Sequence, residues 1–256
     1  MRKRIVFSAL WALALAVSSC HTPYVMTSVE RTRVLVDGKY DANPDKRAQA
    51  FLRPYKAKVD SLMSPVVGRV ARYMAAQRPE SALSNLLADI LLWSGGDYNE
   101  HPDFAIYNMG GIRAAFAEGE VTLGDILNVA PFENKVCFLT LSGAKVTELF
   151  KQMAKRGGEG LSRGAELEIT TDGRLTKALV HGKPVDESRT YRVATLDYLA
   201  QGNDGLEAFK AKTGVNSPQG AKNNVRALIA RYFKAQTAAG KTVDSQVEGR
   251  IKIVNP

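Results

Sequence analysis

Two apolar periods alternate along the chain. Leu83, Leu86, Leu87, Ile90 and Leu91 recur at three- and four-residue steps, which predicts a helix from Ser81 to Trp93 ended by Gly95-Gly96. "GAKVTELFKQMAKR" and "AKNNVRALIARYFKAQ" keep the same period. So does the run from Ala48 to Gln77, with Pro54 near a start and Pro65 dividing it. Strand-like segments are "FAIYN", Val136 to Leu141, "AELEIT", "LTKALVHG", "TYRVATLDYLA" and "GRIKIV". "RTRVLV" reads as a short strand closed at Asp37-Gly38, a small helix is expected around Ala114, and a helical turn after Thr122. Helices and strands are interspersed, and the later strands are spaced like hairpins. The predicted fold is therefore α/β to α+β, a mixed β-sheet with packed helices.

Apolar and charged fractions of 45% and 24% over 256 residues are those of a folded protein, which excludes a disordered chain. No internal repeat is present. The first residues carry a different signal. "MRKR" precedes an apolar run from Ile5 to Val17 and then "VSSC", similar to a bacterial lipoprotein signal whose cysteine receives the lipid. The run is too short for a convincing spanning helix, which needs about 20 apolar residues. The expected layout is a signal peptide over 1–19, a tether over 20–28 anchored through Cys20, and one domain over 29–256. Its place would be the cell envelope, facing the periplasm or the outer surface of a bacterial membrane. Losing Arg2, Lys3 and Arg4 takes the formal charge from +9 to +6. With no basic block interleaved with aromatics, nucleic acid is not an expected partner. Cys137 in "KVCFLTL" reads as a buried strand thiol.

Three fragments carry candidate chemistry. In "NMGGIR", Gly110 and Gly111 let a ligand approach backbone amides, and Arg113 offers a planar fork for phosphate or carboxylate. Taken alone, it is better read as a tight strand-to-helix turn with Arg113 in solvent. "DYLAQGNDGLEAF" sets Tyr198 six residues ahead of Asp204, a ring able to stack on a heterocycle and a carboxylate able to accept from a diol. "NVAPFEN" puts Phe132 on a loop after Pro131.

"ESALSNLLADILL", "YNMGGIR", "GDILNVAPFENKVCFLTLSGAKVTELF" and "ATLDYLAQGNDGLEAF" follow the order and separations of motifs in the C-terminal domain of 5'-nucleotidases. The chain resembles that family from about Val29 to near its end. The resemblance implies that Phe132 and Tyr198 sandwich a base and Asp204 holds the ribose. Asn108, Gly110, Gly111, Arg113 and Asn134 would line the site or grip phosphate. Two positions depart from the pattern. Tyr198 stands where Phe is common, and in "QRPES" Arg78 would substitute for an arginine whose more usual place is held by Pro79.

The family's two catalytic metals belong to a separate metallophosphoesterase domain, and the three histidines here, His21, His101 and His181, are far apart with no D-x-H or G-N-H-[DE] motif. Asp97, Glu100, His101 and Asp103 read as a solvated acidic loop, and "GGEGLSRG" as a flexible turn. The resemblance thus implies no catalytic residue and no metal in this chain. It implies a substrate (nucleotide)-binding domain acting with a separate metallophosphoesterase subunit that carries two divalent metals. The alternative is a stand-alone nucleotide- or nucleoside-binding lipoprotein for capture or sensing. An independent hydrolase and a degenerate interaction module are the remaining options.

Overall fold

The computed structural model describes residues 26–255. Cys20 and His21 lie outside the described residues. The chain forms two compact units, 1–51 and 52–256. In the first, the described segment has a short 3-10 turn at Gly38–Tyr40 and no strand at "RTRVLV", whose apolar residues stay exposed and find no ladder partner. Helix α1, Lys46–Met63, begins in this unit and ends in the second.

The second unit is built on three sheets. The central one runs β10-β4-β9-β2-β5, from β2 (Phe104–Tyr107), β4 (Val136–Ser142), β5 (Gly160–Leu161), β9 (Thr190–Leu196) and β10 (Thr213–Asn216). Only β2 and β9 pair in parallel there; the other neighbours are antiparallel. A second sheet runs β11-β6-β7-β8, from β6 (Ala165–Thr170), β7 (Leu175–Val180), β8 (Lys183–Pro184) and β11 (Ile251–Val254). The third pairs β1 (Val66–Val70) with β3 (Gly119–Thr122). The architecture is the mixed-sheet fold with packed helices that the periodicity predicts.

Helix α2, Ala82–Ser94, starts where Ser81 caps it: the Ser81 hydroxyl accepts from Ser84 N at 3.2 Å, and the Ser84 hydroxyl accepts from Ser81 N at 3.1 Å. Its five periodic leucines and isoleucines are buried against β2, β5 and helix α6, Val225–Ala238. Each such side chain contributes roughly 1.5–3 kcal/mol. Helix α4, Gly143–Lys155, joins the core through Phe150, whose ring meets Phe104 at 5.2 Å. Cys137 is buried on β4, and burial pushes its thiol pKa up.

Three further local expectations fail. Pro54 lies in the middle of α1, and the second half of the 48–77 run is not helix: β1 takes Val66–Val70 and residues 71–77 are irregular. The β-branched Val66 and Val70 pair with β3 once Pro65 has broken the helix, and the register shifts at Val67. The helix expected around Ala114 is absent. Arg113 N donates to Val129 O and Phe116 N to Met74 O, so distant carbonyls take the amides a helix would have used.

Candidate functional site

The sheet topology gathers the site. Because β2 and β9 run parallel side by side, the loops leaving them emerge at one edge of the sheet. Strand β4 runs against β9 with Val136 opposite Leu196, so the loop entering β4 arrives at that same edge. Loops at the carboxyl ends of neighbouring parallel strands are a recurrent place for ligands. Here they bring Asn108 and Gly110, Phe132 and Asn134, and Tyr198 and Asp204 around one cavity of ≈ 180 Å³.

Phe132 and Tyr198 both line this cavity and remain 45% and 39% exposed. Rings left half-exposed on a cavity wall offer apolar faces to a ligand. Tyr198 follows β9 on the short helix α5, Asp197–Ala200, held by its backbone N–H donating to Asp197 Oδ1 at 2.8 Å. Asp204 sits in the left-handed region at φ 56°, a conformation most side chains avoid. The Tyr198 hydroxyl donates to its Oδ1 at 3.1 Å and Asn108 Nδ2 to its Oδ2 at 2.8 Å. The bond to Asp204 raises the Tyr198 pKa above the usual phenol range.

Asn108 is buried with its Oδ1 unpaired. A Cβ added at Gly111 would come within 2.6 Å of that oxygen, so Gly111 makes room for the Asn108 amide and does not itself line the cavity. Gly110 is exposed on the cavity wall. The guanidinium of Arg113 stands 5.7 Å from the centre of the Phe132 ring, a cation–π geometry at the cavity rim.

Arg78 is not on the cavity wall. Its Nη2 donates at 2.5 Å to Oε1 of Glu159, which also accepts from Arg156 Nε at 2.6 Å. The other oxygen of Glu159 accepts from Met109 N at 2.5 Å, inside the 3-10 turn Met109–Gly111. Glu159 is wholly buried, while the two arginine side chains stay 37% and 32% exposed. Two cations against one carboxylate leave one net positive charge beside the Asn108 loop. Sequence reading misses Glu159 and Arg156, since "GGEGLSRG" has the composition of a flexible turn. The segment instead forms β5 against β2, and a Cβ at Gly158 would clash with Pro79 O at 2.4 Å. The i, i+3 spacing of Arg156 and Glu159 is the signal that could have found them.

The acidic loop is also not simply solvated. Glu100 accepts from Arg192 at 2.7 and 2.6 Å and from Asn216 at 2.8 Å. Asp103 accepts from Arg192 N, and Asp97 pairs with Arg231. Glu100 and Asp103 tie the loop to the sheet, and Asp97 ties it to helix α6. Among the described residues no group of three or more His, Cys, Asp or Glu gathers that fits a metal ion.

Residues 63–211 match the family described as 5'-nucleotidase, C-terminal domain. Protein UshA of Salmonella pullorum is 34% identical over 185 residues, 71% of this chain and 33% of that protein. The trifunctional nucleotide phosphoesterase protein YfkN of Bacillus subtilis is 28% identical over 252 residues, 90% of this chain and 16% of that protein. A solved 5'-nucleotidase precursor from Thermus thermophilus superposes with a TM-score of 0.69 at 25% identity, covering 82% of this chain and 43% of that one. The chain spans a third or less of the length of UshA and YfkN.

Proposed function

The chain belongs to the 5'-nucleotidase C-terminal domain family, and from that premise we propose that it binds the nucleotide for a 5'-nucleotidase-like phosphohydrolase whose metal-bearing half is a separate metallophosphoesterase chain. One observation carries this reading: six side chains or glycines from three loops line a single cavity, two of them half-exposed rings and one a carboxylate. A base stacks between Phe132 and Tyr198. The ribose hydroxyls donate to Asp204, whose oxygens Asn108 and Tyr198 already hold in position. Arg113 at the rim meets the phosphate, where a planar guanidinium gives two parallel hydrogen bonds.

No residue here touches the reacting phosphorus. In this reading the two divalent metals that activate water are carried by the partner chain. This domain contributes by fixing base, sugar and phosphate relative to that water, and positioning alone removes a large share of a barrier. The leader-like first twenty residues support an extracytoplasmic place with a lipid on Cys20. Among the described residues no helix is long and apolar enough to cross a membrane.

The test mixes the chain with a metallophosphoesterase chain that lacks this domain and follows phosphate release from nucleoside monophosphates. Turnover that rises on mixing, and falls with Arg113→Ala, supports the reading. A mixture that gives no complex and no enhanced turnover sinks it. The pre-set Tyr198–Asp204–Asn108 network favours one second reading, a stand-alone nucleotide-binding lipoprotein. Calorimetry without a partner separates them: tight binding by the isolated chain points to capture.

A further inference from the structure

We propose that α1 is an interfacial helix that lays one apolar arc on an anionic lipid surface. Winding at about 100° per residue, Ala48, Phe51, Leu52, Tyr55, Val59, Leu62 and Met63 fall within an arc of roughly 120°. No charged residue interrupts it. Arg47 and Lys58 border one side and Lys56 the other, and the helix carries five cations, Lys46, Arg47, Arg53, Lys56 and Lys58, against the single carboxylate of Asp60.

Leu52, Val59 and Leu62 are 54–55% exposed, whereas on α2 Leu83, Leu86, Leu87, Ile90 and Leu91 are at most 2% exposed. The exposed arc is therefore a different kind of surface from the core-facing helices. Leu62 and Met63 continue it into an apolar groove with Leu123, Ile126 and Ala230.

The charge pattern selects the occupant. Protein interface cores are depleted of Lys, while amphipathic helices that lie in a bilayer surface flank the apolar face with Lys and Arg and bind anionic headgroups. The position along the chain agrees. About 25 residues separate Cys20 from the helix, a reach of at most about 85 Å, so a chain held by lipid at Cys20 keeps α1 near the bilayer. The inference rests on the helix itself, and its test removes the lipid.

The mature chain with Cys20→Ser, which carries no lipid, is sedimented with vesicles of equal parts phosphatidylglycerol and phosphatidylcholine, and with pure phosphatidylcholine. Binding is expected on the anionic vesicles and is expected to weaken as salt rises. Leu52→Asp with Val59→Asp should lower it tenfold or more, and Lys56→Glu with Lys58→Glu should lower it on anionic vesicles only. These side chains are exposed, and circular dichroism checks that each variant is folded. No sedimentation at low salt, or sedimentation indifferent to the paired aspartates, overturns the proposal. It is equally overturned if the aspartates break a dimer or a complex with a metallophosphoesterase chain in vesicle-free solution and leave sedimentation unchanged, which would make the arc a protein-docking face.

Discussion

Replacing Glu159 with Gln keeps the shape of the side chain and removes its charge. In the native site that carboxylate accepts from two guanidiniums and from Met109 N, and it has no exposure to water. Breaking a buried ion pair from one side typically costs about 3–5 kcal/mol. Here the cost is lower, because Arg78 and Arg156 are a third exposed and regain hydration when released. Against that, one Gln oxygen cannot accept from all three donors, and an unpaired buried N–H such as that of Met109 costs about 1–3 kcal/mol. The two considerations together give a destabilisation of roughly 3 kcal/mol. For a unit of about 200 residues each kcal/mol moves Tm by about 2–4 °C, so thermal unfolding followed by circular dichroism should shift down by about 6–12 °C. Well below that Tm, nucleotide affinity should fall as well, since the turn over Met109–Gly111 loses its anchor. A shift under about 2 °C, or full destabilisation with unchanged affinity, would refute the claim that Glu159 holds the Asn108 loop.

Tyr198→Ala removes a stacking face and should weaken nucleoside monophosphate binding by about 1–3 kcal/mol in calorimetry, while Tyr198→Phe keeps the ring and should cost under about 1 kcal/mol. Leu87→Ala in the buried face of α2 should cost about 2–5 kcal/mol in urea unfolding. Glu100 has its pKa held down from the usual 4.5, first by the Arg192 hydrogen bond and also by the bond from Asn216. A lowered folded pKa gives stability that is present above about pH 4.5 and is lost as pH falls through the depressed value, so Glu100→Gln should flatten the acid limb of the stability profile and leave its slope near pH 7 unchanged.

The elements legible in the sequence are those whose local signals and tertiary context agree. The capping serine, the apolar spacing and the terminal glycines of α2 all point one way, and the helix lies within a residue of its predicted span. The apolar run before Asn108 is likewise strand β2. Legibility fails where a distant partner decides. Val66 to Val70 carries a helical apolar spacing as well as β-branched residues, and only pairing with Gly119–Thr122 settles the choice. The amides of Arg113 and Phe116 go to Val129 and Met74, which no local pattern announces. The parallel pairing of β2 with β9 joins segments almost ninety residues apart, and it is this pairing that sets the cavity's position.

The nine candidate site residues divide along the same line. Six of them sit on the cavity wall because their motifs abut strand ends, and a strand end fixes where its loop begins. Gly111 and Arg113 lie off that wall, the first making space for the Asn108 amide, the second lying over Phe132 at the rim. Arg78 is different. The resemblance makes it a substitute for an arginine of the family pattern, and in the structure its charged partner is a buried carboxylate that it shares with Arg156. The consequence is testable through charge: each arginine supports the loop through Glu159 and adds to the same net positive charge. If that shared support is the main role, Arg78→Ala and Arg156→Ala will each weaken nucleotide binding, and their double variant will cost less than the two single losses added. Strict additivity would mean that the two guanidiniums act on the ligand separately and that the carboxylate between them is incidental.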